Sequence, residues 1–134
     1  MISESKSSPR LTLYRGWDSP GNYVWSPFVT KVEARFRFAG LSYRSEAGSL
    51  SKAPRGKIPY VAIARGEGDT QDPDSTSLCS DSTLIIDQLV EDGLLDDLNA
   101  KLSPVQKAHD AGLRALLEDK LYFYQVCIFE RMLL

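Results

Sequence analysis

The chain is poor in the residues that most metal and redox chemistry requires. It holds one histidine and two cysteines among 134 residues. His109 stands beside Asp110 in a helical stretch, a setting that suits a surface residue better than a ligand. Cys79 and Cys127 are far apart and form no C-x-x-C pair, so neither a dithiol motif nor a cysteine metal site is present. No metal is expected, and this cysteine usage fits a reducing intracellular compartment. Net charge is −2 and the basic residues are scattered, which argues against nucleic acid or an anionic membrane as partner. The segment 1–8 has no apolar core and reads as part of a tail over 1–10, not a secretory signal. The longest apolar run, 121–129, is about half of the roughly 18 residues a membrane-spanning helix needs.

What is present is organised around residues 25–40. Ser26 is a favoured helix N-cap, because its hydroxyl can accept an N–H of the first turn. Pro27 suits the first helical position, where no donor is missed. Val29, Val32, Phe36 and Ala39 recur at steps of three and four and define one face. Lys31, Glu33, Arg35 and Arg37 mark the wet side. Gly40 suits the left-handed residue just past the helix end. A strand at 11–15 precedes this helix and another at 43–47 follows, which makes a β-α-β unit. The loop 16–22 between the first strand and the helix is dense in Gly, Pro, Asp and Asn. Such loops lie at the carboxyl end of the strand, where open α/β sheets place their ligands.

Residues 48–57 are polar and irregular, with room for one helical turn. A third strand is expected over 58–63, with Pro59 at its opening. The stretch 66–77 is acidic and without an apolar anchor, and reads as a flexible insertion between strands. Leu78 and Cys79 suit a short fourth strand. A second helix opens at Asp81-Ser82, with Leu84, Ile85 and Leu89 on its face, and ends at Gly93. Residues 94–102 form a linker. Ser103-Pro104 then repeats the cap pattern of the first helix. Leu113, Leu117, Leu121, Tyr124, Ile128 and Met132 keep helical spacing to the end of the sequence, predicting one long helix. Its apolar face is large enough to call for partner helices or a second copy.

Two helix starts can carry chemistry. At Ser26 the structural role is a cap, and the chemical role is a hydroxyl aimed at a bound thiolate. A helix N-terminus favours an anion by about 0.3–1 kcal/mol. A hydrogen bond to a charged group adds about 1.5–3 kcal/mol. Lowering a thiol pKa by about two takes roughly 2.7 kcal/mol, so one serine plus a helix end is just enough. With no histidine beside it, Ser26 has no base to make it a hydrolase nucleophile. Asp81-Ser82 is first a cap, and second an anion site in which N-terminal amides and the Ser82 hydroxyl would hold a carboxylate.

Taken in order, the strand, loop and Ser26-Pro27-Phe28-Val29 helix, the strand, Lys57-Ile58-Pro59-Tyr60, the strand pair and the Asp81-Ser82 helix resemble a thioredoxin-like domain. More narrowly they resemble the N-terminal domain of a glutathione S-transferase. Within that family the Ser-Pro-Phe opening, residues 51–59 and residues 81–86 look most like the failed-axon-connections and metaxin group. The resemblance implies an α/β fold, a βαβ-ββα thioredoxin-like domain over 11–93, followed from 103 to 134 by the start of an all-α C-terminal domain. It implies glutathione as co-substrate and a cytoplasmic location, or the mitochondrial outer surface if the metaxin likeness governs. Ser26 then stands at the catalytic position. Pro59 becomes a cis-proline, and Lys57, Ile58 and Pro59 line the glutathione site, with the Ile58 backbone pairing with the cysteinyl backbone. Asp81 and Ser82 would hold the γ-glutamyl end. Ser26 and Val29 replace the two cysteines of a thioredoxin, which excludes dithiol exchange. The implied function is glutathione binding with conjugation to an electrophile whose identity the sequence does not give. The alternative on the same fold is a non-catalytic metaxin-like interaction or sorting module.

Overall fold

A computed structural model describes residues 10–18, 21–64 and 76–132. The chain divides into two units, Met1–Asp96 and Asp97–Leu134.

In the first unit the elements run β1 (Arg10–Tyr14), α1 (Pro27–Phe38), β2 (Arg44–Glu46), a 3-10 turn (Pro54–Gly56), β3 (Tyr60–Ala64), β4 (Thr76–Ser80) and α2 (Ser82–Glu91). The four strands form one mixed sheet in the order β2-β1-β3-β4. β1 and β2 are parallel, as their crossover through α1 requires, and the other two pairings are antiparallel. This is the thioredoxin-like arrangement. Alternation builds its core. Leu11 and Leu13 of β1 stand opposite Ile63 and Val61 of β3 and point inward together. Val32 and Phe36 of α1 and Ile85 and Leu89 of α2 close over that face. Phe36 and Leu13 are fully buried, and each such side chain contributes about 1.5–3 kcal/mol.

The opposite face is covered at one end by the loop after β2. Tyr14 and Tyr60 stack there with ring centroids 4.3 Å apart. The Tyr60 hydroxyl accepts the Ser49 N–H at 3.1 Å. Gly48, at φ +69°, lies so close that a Cβ would stand 2.6 Å from the Tyr60 hydroxyl and 2.8 Å from Tyr14 Cβ.

Several expectations need correction. β3 begins at Tyr60, not at 58, because Pro59 has no N–H to give to the ladder. β4 is five residues long rather than two: pairing with β3 carries Thr76 and Ser77 into the sheet although neither is apolar. Those two residues therefore leave the acidic insertion, whose remainder at 66–75 lies outside the described residues. Most of the tail 1–10 also lies outside them, and Arg10 opens β1. Ala39 is exposed, while Arg35, read as wet, is buried with its guanidinium on the Asp96 carbonyl. Leu84 is exposed, and the buried face of α2 is Ser82, Ile85 and Leu89. Gly40 and Gly93 take the left-handed conformation expected past the two helix ends.

In the second unit a capping box opens α3 (Pro104–Ala115). The Ser103 hydroxyl accepts the Gln106 N–H, and Gln106 Oε1 accepts the Ser103 N–H at 2.9 Å. The single long helix expected here runs without interruption from Pro104 to Met132, with one π-helical stretch, Leu116–Leu121, between α3 and α4 (Tyr122–Met132). Asn99 and Arg114 both donate to Asp110 Oδ2, at 2.9 and 3.0 Å, tying the preceding turn to α3 and holding that carboxyl below the usual range. Leu113, Leu117, Leu121, Tyr124 and Ile128 are all exposed. Among the described residues no helix is long and apolar enough to cross a membrane.

Candidate functional site

Strand register brings the sequence-predicted residues to one end of the sheet. Tyr14 of β1, Tyr60 of β3 and Ser80 of β4 lie in one row. One step further along are Arg15, Pro59 and Asp81. α2 starts there because it follows β4 directly. α1 starts there as well: Lys31, in its second turn, donates to Thr83, in the first turn of α2.

Ser26 is the N-cap of α1 with extended backbone, φ −76° and ψ 114°. Its Oγ accepts the Val29 N–H at 3.4 Å, and as an acceptor it retains its own O–H to donate. The loop leading to it is fixed from below by Arg15. That side chain is 3 % exposed, with its Nε 2.9 Å from Glu33 Oε1 of α1, an ion pair and not an aligned hydrogen bond. The same guanidinium donates to the Asn22 carbonyl. The N–H groups of Arg15 and Gly16 bond to the carbonyls of Glu46 and Ala47 at 2.8 and 2.7 Å. Trp17, Tyr23 and Trp25 of this loop are exposed, while Val24 tucks in.

The Ile58–Pro59 bond is cis. Pro59 is fully buried, Ile58 is half-buried and Lys57 is exposed. Gly16 and Ile58 pack so closely that a Cβ on Gly16 would stand 2.8 Å from Ile58 Cδ1. The β1–α1 loop and the segment before β3 therefore position each other.

Asp81 caps α2, its Oδ1 accepting the Thr83 N–H at 3.0 Å. Its backbone sits at φ +80° and ψ 124°, away from any region an L-residue favours. Strain of this kind costs about 1–3 kcal/mol and clusters where function fixes the chain. Ser82, next in line, is buried at 4 % exposure. The single histidine, His109, belongs to the other unit, and among the described residues no group of His, Cys, Asp and Glu could hold a metal.

The cysteine in the adjoining strand is no rival nucleophile. Burial pushes the Cys79 thiol up, Asp81 adds to this, and Arg55 opposes it. A raised thiol pKa keeps the neutral form in the folded state, so its stabilisation is complete below the ordinary cysteine pKa. That stabilisation is lost as pH rises through the ordinary value toward the raised one. In a Cys127→Ser background at pH 7.5, Cys79 should react with a maleimide several-fold more slowly than in 6 M urea, as the thiolate is the reacting form. Equal rates in the two conditions would refute the shift. The Tyr14 phenol is also pushed up, by burial first and then by Glu46 and Tyr60, so it stays neutral at physiological pH.

Sequence reasoning missed Arg15, Lys31 and Gly48. Arg15 had a signal: 11, 13 and 15 share one face of a strand, so an inward Leu11 and Leu13 imply an inward Arg15. The Lys31–Thr83 contact, 52 positions apart, had none.

The family model described as the glutathione S-transferase N-terminal domain matches residues 27–131, beginning one residue after Ser26. No curated protein matches the chain. Among solved structures it is similar to glutathione transferase Omega 2S from Trametes versicolor, with 18% identity and a TM-score of 0.56 over 83% of this chain and 48% of that one. The chain thus spans about half the length of that protein, and the likeness is one of fold.

Proposed function

The chain belongs to the glutathione S-transferase N-terminal domain family, and from that premise we propose that it binds glutathione at the end of its sheet. The observation that supports this best is the common location of three segments: the Ser26 helix start, Ile58-Pro59, and Asp81-Ser82. In this reading the Ile58 backbone, beside Lys57 and Pro59, pairs with the peptide of glutathione. The start of α2, with Asp81 and Ser82, takes its γ-glutamyl end. Ser26 donates its hydroxyl to the sulfur and favours the thiolate, which attacks an electrophile. Within the family we assign the chain to the failed-axon-connections and metaxin group, on its Ser-Pro-Phe helix opening and the 51–59 stretch.

Retention on immobilised glutathione tests the binding. Wild type should be retained and eluted by free glutathione. Ser82→Ala should weaken retention roughly tenfold if the hydroxyl bonds a carboxylate. Failure of the wild type to be retained would sink the proposal.

A second reading is favoured by one observation, the exposed apolar side chains along α3 and α4. Here the same fold serves as a non-catalytic interaction module that engages a protein partner through those helices. Thiol transfer to a chromogenic electrophile separates the two: turnover that Ser26→Ala abolishes belongs to the first reading, and its absence alongside a co-purifying partner belongs to the second.

A further inference from the structure

Arg15 stands where β1 gives way to the β1–α1 loop, and its partners lie on both sides of Ser26 in the chain. Its Nε is 2.9 Å from Glu33 Oε1, in the second turn of α1 after Ser26. The same guanidinium donates to the carbonyl of Asn22, in the loop ahead of Ser26. That loop buries little of its own. Of its described residues only Val24 is buried, while Trp17, Tyr23 and Trp25 are exposed. Apolar burial therefore does little to fix the approach to Ser26, and a bond from a planar, rigid fork of donors does more. As a source of stability alone, a buried ion pair is a poor choice, because packed apolar residues of similar volume commonly do as well. What packed apolar residues cannot supply is a donor aimed at a loop carbonyl.

We propose that Arg15 is a positioning residue of the site: by tying the Asn22 carbonyl to Glu33 it fixes where the Ser26 hydroxyl points, and through Ser26 it sets the ionisation of the bound thiol. This rests on the glutathione reading above and names the buried group on which its chemistry depends. The helix alone sets the hydroxyl loosely, since Ser26 Oγ accepts the Val29 N–H at a long 3.4 Å. Its direction then follows from how the loop delivers the residue. A small swing of the donor weakens its bond to sulfur steeply, because hydrogen bonds depend on alignment. Gly16, which packs on Ile58, keeps its own bond to the Ala47 carbonyl whatever happens to the Arg15 side chain. Loss of the Arg15 contact therefore acts on the thiolate and spares the segment expected to hold the glutathione backbone.

The test is the thiol pKa of glutathione bound to the full chain, read from ultraviolet thiolate absorbance over a pH series. The proteins are wild type, Ser26→Ala, the paired change Arg15→Met with Glu33→Leu, and all three substitutions together. The paired change removes one charge of each sign and keeps the corner filled, so it leaves net charge and packing in place. Ser26→Ala should raise the thiol pKa by about one to two, as expected for one hydrogen bond to a charged group. The paired change should raise it by about one, with glutathione affinity within about twofold of wild type. In the Ser26→Ala background it should raise it no further. A wild-type pKa in the paired variant overturns the positioning role and leaves the glutathione reading standing. A rise that persists on top of Ser26→Ala also overturns it, because Arg15 would then act without the hydroxyl. An unshifted pKa in Ser26→Ala overturns the positioning role together with the thiolate role of Ser26. Should the paired variant fail to fold, NMR of the arginine side chains in wild type decides. A guanidinium held by Asn22 and Glu33 gives separate Nη signals for Arg15, and signals averaged by free rotation overturn the proposal. A wild type that binds no glutathione overturns both readings.

Discussion

Arg15→Ala should lower the stability of the first unit by about 3–5 kcal/mol, the cost of leaving a buried charge without its partner. The guanidinium is 3 % exposed, its Glu33 partner is 14 % exposed, and both sit between β1 and α1. Removing the cation leaves the Glu33 carboxylate in a low-dielectric corner and frees the Asn22 carbonyl. Glu33→Ala should cost less, because the Arg15 guanidinium keeps its bond to the Asn22 carbonyl. The double change Arg15→Met with Glu33→Leu should recover most of the loss, because packed apolar groups commonly replace a buried pair at little cost. Urea unfolding followed by tryptophan fluorescence measures all three, with Trp17 and Trp25 of the β1–α1 loop as reporters. Single variants within about 1 kcal/mol of wild type would show that the pair is solvated and not structural. With whole-domain stabilities of about 5–15 kcal/mol, the expected loss is a large share of the total.

Gly48→Ala should be nearly as damaging, by a different route. Two costs combine there. The left-handed backbone at φ +69° penalises any Cβ by about 1–2 kcal/mol. The contacts at 2.6 Å to the Tyr60 hydroxyl and 2.8 Å to Tyr14 Cβ then force apart a stacked pair, adding about 1–3 kcal/mol. Tyr14 Cβ is anchored to the backbone of a central strand and cannot swing aside. Gly40→Ala is the control, with φ +64° and open space around it, and should cost only the backbone share. The difference between the two melts isolates the steric cost. Equal melts would mean that the loop after β2 moves freely away from the tyrosines.

The fold was legible in the sequence wherever local chemistry and periodicity agreed. Ser26-Pro27 with Val29, Val32 and Phe36 states where α1 begins and which side it buries. Gly40 and Gly93 state where the two helices end. The alternation of Leu11, Leu13, Val61 and Ile63 states the inward faces of the central strands. What could not be read was settled by partners distant in sequence. β4 is a strand because β3 offers it a ladder, not because Thr-Ser-Leu-Cys-Ser looks like one. Arg35 is buried because the Asp96 carbonyl is within reach. The spacing carried a hint, since 32, 35 and 36 share a helical face, but charge outweighed it in the reading.

The candidate site was less legible for the same reason. Each of its segments could be recognised singly as a cap, a proline before a strand, or a cap again. Their proximity follows only from the register Tyr14, Tyr60, Ser80 and from the pairing of the two helix starts. The backbone of Asp81 at φ +80° was also hidden, because aspartate is an ordinary N-cap and nothing in its neighbours announces the strained angle. Resemblance to a family supplied the arrangement that local rules could not.

The strand order leaves β2 and β4 as the borders of the sheet. Open borders are templates on which chains of other copies can add and aggregate. β2 meets that hazard with brevity and charge: it is three residues long, and Arg44 and Glu46 point outward from it. β4 is longer and uncharged, with Leu78 half exposed among Thr76, Ser77 and Ser80. If this protein self-associates through its sheet, β4 is the side from which a fibril would grow, and a lysine at Leu78 is the substitution that would keep it colloidally stable at high concentration.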